Sequence, residues 1–354
     1  VPYYSVIGGW VIKYLVEYFR GNAKLLAEDG YFTDFISNGV STELCFVAFC
    51  AFTLIIIFAG VQNGIERVSK IMMPILIVLS VIIAVYSVTR PGALAGVKYF
   101  LVPNVKNFSW MTVVSAMGQM FYSLSIAMGI LITFGSYMKK DTAIEDSTRN
   151  VEIFDTGIAI MAGLMIIPAV FAFSGGDPDT LQAGPSLMFI TIPKVFQNMG
   201  FGTVIGIVFF LLVLFAAVTS SIALTESAVS TFEDELGWGR KKATVLVGVI
   251  MLALGSLSSL GYGPLAGIKI IGMQFLDLFD FLTNSVMMPI AALLTSLFVS
   301  RVVGIDKIEE EIIHGESAFR RKKVFVVMIK YLCPVFAIII LLSSVANALG
   351  WIKM

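Results

Sequence analysis

FGTVIGIVFFLLVLFAAVTSSIALTESAVSTF, residues 201–232, is the stretch whose reading decides the fold class of this chain. It runs for 32 residues, where a helix needs roughly 20 mostly apolar residues to cross a bilayer. A membrane-spanning strand would be about half as long and would alternate apolar with polar residues. Eight further runs of this kind accompany it, at 1–19, 42–60, 67–88, 110–137, 153–174, 243–260, 275–302 and 324–349. The long runs are apolar on all faces, which leaves no polar side for water and argues against long buried helices of a soluble protein. The 354 residues are 58% hydrophobic and only 14% charged. A soluble domain is nearer half apolar and a quarter charged, so the excess needs lipid as its solvent. The reading is an all-α polytopic membrane protein with about nine transmembrane helices.

Loop charge then sets orientation. With the first helix running outward, inner loops carry 14 Lys and Arg, and outer loops carry 8: Arg20, Lys24, Arg90, Lys98, Lys106, Lys194, Lys269 and Lys353. That bias places the inner loops in the cytoplasm. The outer loop 175–200 is nearly uncharged apart from Asp177, Asp179 and Lys194; it either re-enters to cap a vestibule or is a plain connector. The formal net charge is zero, so no basic field points to nucleic acid. Cys45, Cys50 and Cys333 sit in apolar stretches without metal-type spacing, and His314 is the sole histidine. Zinc chemistry and His-based nucleophile chemistry are thereby excluded, and an intramembrane enzyme lacks its constellation.

Function in such a chain shows as polar groups that lipid would penalise. In Gly118-Gln119-Met120-Phe121-Tyr122-Ser123-Leu124-Ser125-Ile126-Ala127-Met128-Gly129, small and hydroxyl residues cluster mid-helix between glycines. A break here would free backbone groups for an ion or a zwitterion; close helix packing through small residues is the alternative. In Ala216-Ala217-Val218-Thr219-Ser220-Ser221-Ile222-Ala223, Thr219 and Ser220 offer hard oxygens to a small cation. Hydroxyls bonding back to the preceding turn would explain them equally. Asp155, near the start of its run, is either functional or a complement to a helix N-terminus. Gly64 and Pro74 flank Glu66, Arg67 and Lys70, and permit unwinding at the cytoplasmic mouth; a plain helix start is the alternative.

Together these stretches resemble the neurotransmitter:sodium symporter family nearly from end to end. Tyr3, Tyr4 and Trp10 resemble part of its third helix, and Gly64-Ile65-Glu66-Arg67 with Pro74 the start of its fifth. Gly118 to Gly129 resembles its broken sixth helix, and Phe189-Ile190-Thr191-Ile192-Pro193 its fourth outer loop. Phe215 to Ile222, then Phe232-Glu233-Asp234-Glu235-Leu236, resembles its eighth. The resemblance implies a leucine-transporter-like fold of two inverted five-helix repeats. On that reading the chain is a single transmembrane domain: 1–100 carries helices 3–5, 101–302 the complete second repeat, and 303–354 helix 11. Val1 rather than Met opens the chain, so the sequence reads as beginning partway through a gene product, without the first two helices. Each implied sodium site would then be incomplete, and the fragment alone should not transport.

The resemblance also implies roles. Tyr4 matches the tyrosine that holds the substrate carboxylate, Tyr122 the aromatic lid, and Ser123 a first-sodium ligand. Ser125, Met128, Ser220 and Leu224 match side-chain-pocket positions, and Ala216, Thr219 and Ser220 the second sodium site. Asp280, with Asp277 as the alternative, matches the outer gate; Tyr137 and Asp234 match the inner gate. The usual asparagine of the seventh helix has no clean match, and Asp155 stands in at the first sodium site. Ala127 carries a methyl where the family has glycine, implying limited unwinding. The implied activity is sodium-coupled symport of a neutral, hydrophobic or aromatic amino acid by alternating access, with two Na+ and no chloride. The partners implied are the amino acid and the bilayer, with a homodimer left open. The competing readings are another inverted-repeat amino-acid carrier and a non-transporting amino-acid sensor.

Overall fold

In the computed structural model, residues 1–177, 184–348 and 351 are described; Asp179, Leu349 and Lys353 lie outside them. The principal helices are α1 (Pro2–Phe19), α2 (Gly39–Phe58), α3 (Val61–Val88), α4 (Trp110–Ser123), α5 (Ile130–Ser136), α6 (Ile144–Ser174), α7 (Gly202–Leu236), α8 (Arg240–Leu260), α9 (Phe275–Val303) and α10 (Lys322–Ala348). Seven of these, α2, α3, α6, α7, α8, α9 and α10, are long and apolar enough to cross a membrane. The other two expected spans differ for visible reasons. The α1 helix, 18 residues long, is made less apolar by Lys13, Glu17 and the tyrosines at 3, 4, 14 and 18, while the run 110–137 is interrupted into α4 and α5.

Several spans outgrow their apolar runs. The α6 helix starts at Ile144 rather than near residue 153, and α7 continues through Glu233, Asp234 and Glu235 to Leu236. Hydropathy marks where lipid ends, whereas a helix stops where its backbone loses partners. The α3 helix opens with a π-wound segment, Val61–Glu66, after Gly60 in the left-handed region, then runs through Pro74 as α-helix to Val88. Proline at 74 has no amide hydrogen to give the Lys70 carbonyl, so this turn is one bond short. The α9 helix is likewise π-wound at Phe281–Met287, next to Asp280.

Two compact units divide the chain. The first comprises Val1–Asn104 and Ile158–Leu276. Its centre is aromatic: Trp10, Tyr14 and Tyr18 of α1 meet Phe32, Phe189 and Phe210, with Phe32 stacked on Phe189 at 5.2 Å. The Tyr14 hydroxyl donates to the Phe189 carbonyl at 2.8 Å, so this buried ring leaves no polar atom orphaned. The outer loop is therefore folded, not a bare connector, over Leu187–Gln197. Its helix Ile192–Gln197 buries Ile192, Val195 and Phe196. Gly9 lets α1 approach the backbone of Cys45 and Phe46 on α2, where an added Cβ would come within 2.7 Å of the Phe46 nitrogen. The second unit comprises Val105–Gly157 and Asp277–Met354. It packs Phe121, Met288 and Ile340 around Met117, Ile126, Met128 and Ala292.

Candidate functional site

In the second unit the helix breaks within the expected stretch. The α4 helix begins with a capping box between Ser109 and Thr112 and ends at Ser123. Residues 124–129 leave the helix, and α5 resumes at Ile130. Ser125, Ala127 and Gly129 have φ of 54°, 62° and 79°. Only glycine reaches this left-handed region without strain; a side chain costs about 1 kcal/mol or more there. Unwinding thus reaches Ala127 despite its methyl, contrary to the limit expected of it. A tight turn holds the break, with the Ile126 amide donating to the Phe121 carbonyl at 2.9 Å.

At the lip of this break, the Ser123 hydroxyl donates to Oδ1 of Asp155 at 2.5 Å. Asp155 stands eleven residues after Ile144, the first residue of α6. Helix-terminus complementation, which fades beyond the first turn, therefore does not explain this half-buried carboxylate. Tyr122 and Asp280 line one cavity of about 370 Å3, with Gln119, Asn284 and Ser344. There the Asn284 amide donates to the Asp280 carboxylate at 2.6 Å. Met128 packs against the Phe121, Met288 and Ile340 cluster. Tyr137 caps the end of α5.

In the first unit α7 carries its hydroxyl cluster without breaking. Thr219 donates to the carbonyls of Phe215 at 3.0 Å and Ala216 at 3.1 Å. The back-bonding alternative is thus realised, although the Thr219 oxygen keeps lone pairs for a cation. Thr53 of α2 donates to the buried Ser221 hydroxyl at 3.2 Å, and Ser220 shares a side-chain hydrogen bond with Tyr4. Tyr4, Ala216, Thr219, Ser220, Leu224, Asp234 and Gly64 with Pro74 belong to this unit; Tyr122, Ser123, Ser125, Met128, Tyr137, Asp155, Asp277 and Asp280 belong to the other. Asp234 is exposed.

A family match over nearly the whole chain decides what these elements belong to. The model of the sodium:neurotransmitter symporter family matches residues 14–351. The chain belongs to this family. An uncharacterized sodium-dependent transporter of Bacillus subtilis (strain 168), YhdH, is 34% identical over 349 residues, 98% of this chain and 76% of the relative. Another from Haemophilus influenzae is 30% identical over 355 residues, 97% of this chain and 76% of the relative. Among solved structures, that of MhsT in complex with L-phenylalanine superposes with a TM-score of 0.84 at 34% identity, covering 97% of this chain and 78% of MhsT. This symporter is an integral protein of the plasma membrane with an inverted-repeat, leucine-transporter-like fold. It is a sodium-coupled transporter of a small molecule, not an enzyme.

One buried charge cluster in the symporter escaped the sequence reading. Glu226 of α7 is fully buried and takes both terminal nitrogens of Arg240, at 2.5 and 3.0 Å. The same guanidinium donates through Nε to the Ile57 carbonyl at 3.0 Å and lies 3.5 Å from Glu233. The signal was available, because an ionisable residue within a spanning helix is costly unless paired. Glu226 lies within the quoted run at 201–232, six residues after Ser220.

Proposed function

We propose that this symporter carries a neutral amino acid with a hydrophobic or aromatic side chain, coupled to two sodium ions. The observation that carries the reading is the break at 124–129 with the Asp155 carboxylate 2.5 Å from the Ser123 hydroxyl. An unwound segment offers backbone amides and carbonyls to a zwitterion, and a carboxylate beside hydroxyl oxygen is a hard donor set suited to Na+ rather than to a soft metal. Ser123 and Asp155 are assigned to the first ion, and the Ala216 carbonyl with the Thr219 and Ser220 hydroxyls to the second. Tyr4, already bonded to Ser220, is assigned to the substrate carboxylate. Tyr122 is assigned as the lid, and Ser125, Met128, Ser220 and Leu224 to the choice of side chain.

None of these pocket residues carries a charge. A lysine or glutamate side chain would be buried unpaired at a cost of several kcal/mol. An apolar one gains about 25 cal/mol per Å2 withdrawn from water. Met128 is unbranched and re-packs around differing shapes. Binding of both ions orders the break around the amino acid. Asp280 then closes the outer side, Tyr137 and Asp234 open the inner one, and the segment from Gly64 to Pro74 unwinds to hydrate the second ion. Two cations and a zwitterion leave positive charge in a medium of low dielectric, which Asp155 offsets permanently. Uptake is therefore chloride-independent.

The test is uptake of labelled L-phenylalanine by the full-length protein in proteoliposomes, with all twenty amino acids as competitors. Leucine, phenylalanine, tyrosine or tryptophan should compete best; lysine, glutamate or glycine as the best competitor would overturn the pocket. Counterflow of labelled substrate separates transport from sensing, since a sensor binds without exchange.

A further inference from the structure

We propose that the symporter has a second binding site, at the outer ends of three spans in its first unit, for the phosphodiester headgroup of an anionic phospholipid. A cavity of about 370 Å3 is lined there by Arg90, Asn198 and Gly200 together with Pro91, Ala172, Phe173 and Met199. These residues lie just past the end of α3 at Val88, around the end of α6 at Ser174, and just before the start of α7 at Gly202. All three ends face the side that loop charge assigns to the outside.

The cation in this cavity is pre-organised. Its guanidinium carbon sits 4.3 Å from the Tyr86 ring centroid, and its Nε donates to the Tyr86 carbonyl at 3.2 Å. Tyr86 is itself anchored by its hydroxyl, which donates to the Gly200 carbonyl on the far wall. With Nε and the ring face engaged, the two terminal nitrogens of Arg90 meet no protein acceptor among the described residues. A fixed planar fork with two open donors matches the paired oxygens of a phosphate group.

The surroundings select a lipid over free phosphate. Beside the polar Arg90 and Asn198, Pro91, Ala172, Phe173 and Met199 give the cavity an apolar wall as well, which a small hydrated anion would leave wet. Immediately below, Val85 and Val204 are 58% and 57% exposed, forming a path for acyl chains along α3 and α7. Phe201 is 83% exposed and holds a left-handed backbone, φ 60°, at the start of α7. That strained placement presents an aromatic ring at the membrane interface, where such rings settle at headgroup level.

The experiment is native mass spectrometry of the purified full-length protein after equilibration with vesicles of phosphatidylglycerol and phosphatidylcholine in equal parts. The wild type should retain phosphatidylglycerol preferentially. Arg90→Gln should lower that preference about fivefold, and Arg90→Lys less, because it keeps the charge without the fork. A second measurement uses the unmodified protein. Phosphatidylglycerol vesicles, but not phosphatidylcholine vesicles or inorganic phosphate, should shield Arg90 from phenylglyoxal, read by peptide mass spectrometry. Equal phosphatidylglycerol retention by wild type and Arg90→Gln, or equal protection by inorganic phosphate, would overturn the proposal.

Discussion

Two hydroxyl-rich stretches of the symporter end differently. Tyr122-Ser123-Leu124-Ser125 closes one helix and opens a break, whereas Thr219-Ser220-Ser221 passes through the middle of an unbroken 35-residue helix. Residue type does not separate them. Chain context does: Gly129 supplies a left-handed residue ahead of α5, and Asp155 stands beside the last hydroxyl of α4. In α7 the hydroxyls are absorbed by the helix itself and by α1 and α2, through Phe215, Ala216, Tyr4 and Thr53. A polar cluster in a membrane helix thus breaks it only where the freed backbone has somewhere to go.

The largest effect should come from the anchor at the inner end of the unbroken helix. Glu226→Ala leaves the Arg240 guanidinium without its main partner and should destabilise the protein by about 3 kcal/mol. Thermal unfolding in detergent checks this, and an unchanged midpoint would mean that α7 does not depend on the pair. Next comes the broken helix. Asp155→Ser removes its fixed charge and should make uptake chloride-sensitive, with rates falling about tenfold or more when gluconate replaces chloride.

The two stretches can then be set against each other as ion sites. Thr219→Val with Ser220→Ala removes two oxygens from an intact helix. It should raise the sodium concentration for half-maximal uptake about tenfold while leaving the fold intact, since each hydroxyl contributes roughly 1 kcal/mol. Unchanged sodium dependence would remove α7 from the coupling mechanism. The smallest effect sharpens the contrast in backbone. Ala223→Gly, inside α7, should cost about 1 kcal/mol of stability. Ala127→Gly should be close to neutral, because relief of left-handed strain offsets the added freedom of the unfolded chain. Equal losses at the two positions would contradict the difference in conformation.

Much of this was readable beforehand because lipid imposes simple rules on sequence. The long apolar runs located the spans, and the break fell where small residues, hydroxyls and glycines cluster. Helix ends were less legible. The cytoplasmic extension of α6 is polar, and distant residues hold it: Glu316 accepts from the Glu145 amide at 2.6 Å, and Arg321 pairs with Glu152 at 2.9 Å. No hydropathy rule sees such partners, so Asp155 looked terminal when it is internal. Glu226 was overlooked because its partner lies fourteen residues on, beyond a turn, in a stretch counted only as loop charge.

On the proposed mechanism, the break beside Asp155 couples sodium to substrate without chloride. Its most direct test is initial uptake of labelled L-phenylalanine by the full-length protein in proteoliposomes under an inward sodium gluconate gradient, against sodium chloride and potassium gluconate. Equal uptake from the two sodium salts and none above background from potassium is the expected result. Uptake that requires chloride, or that proceeds equally from potassium, would mean that Asp155 does not play this part.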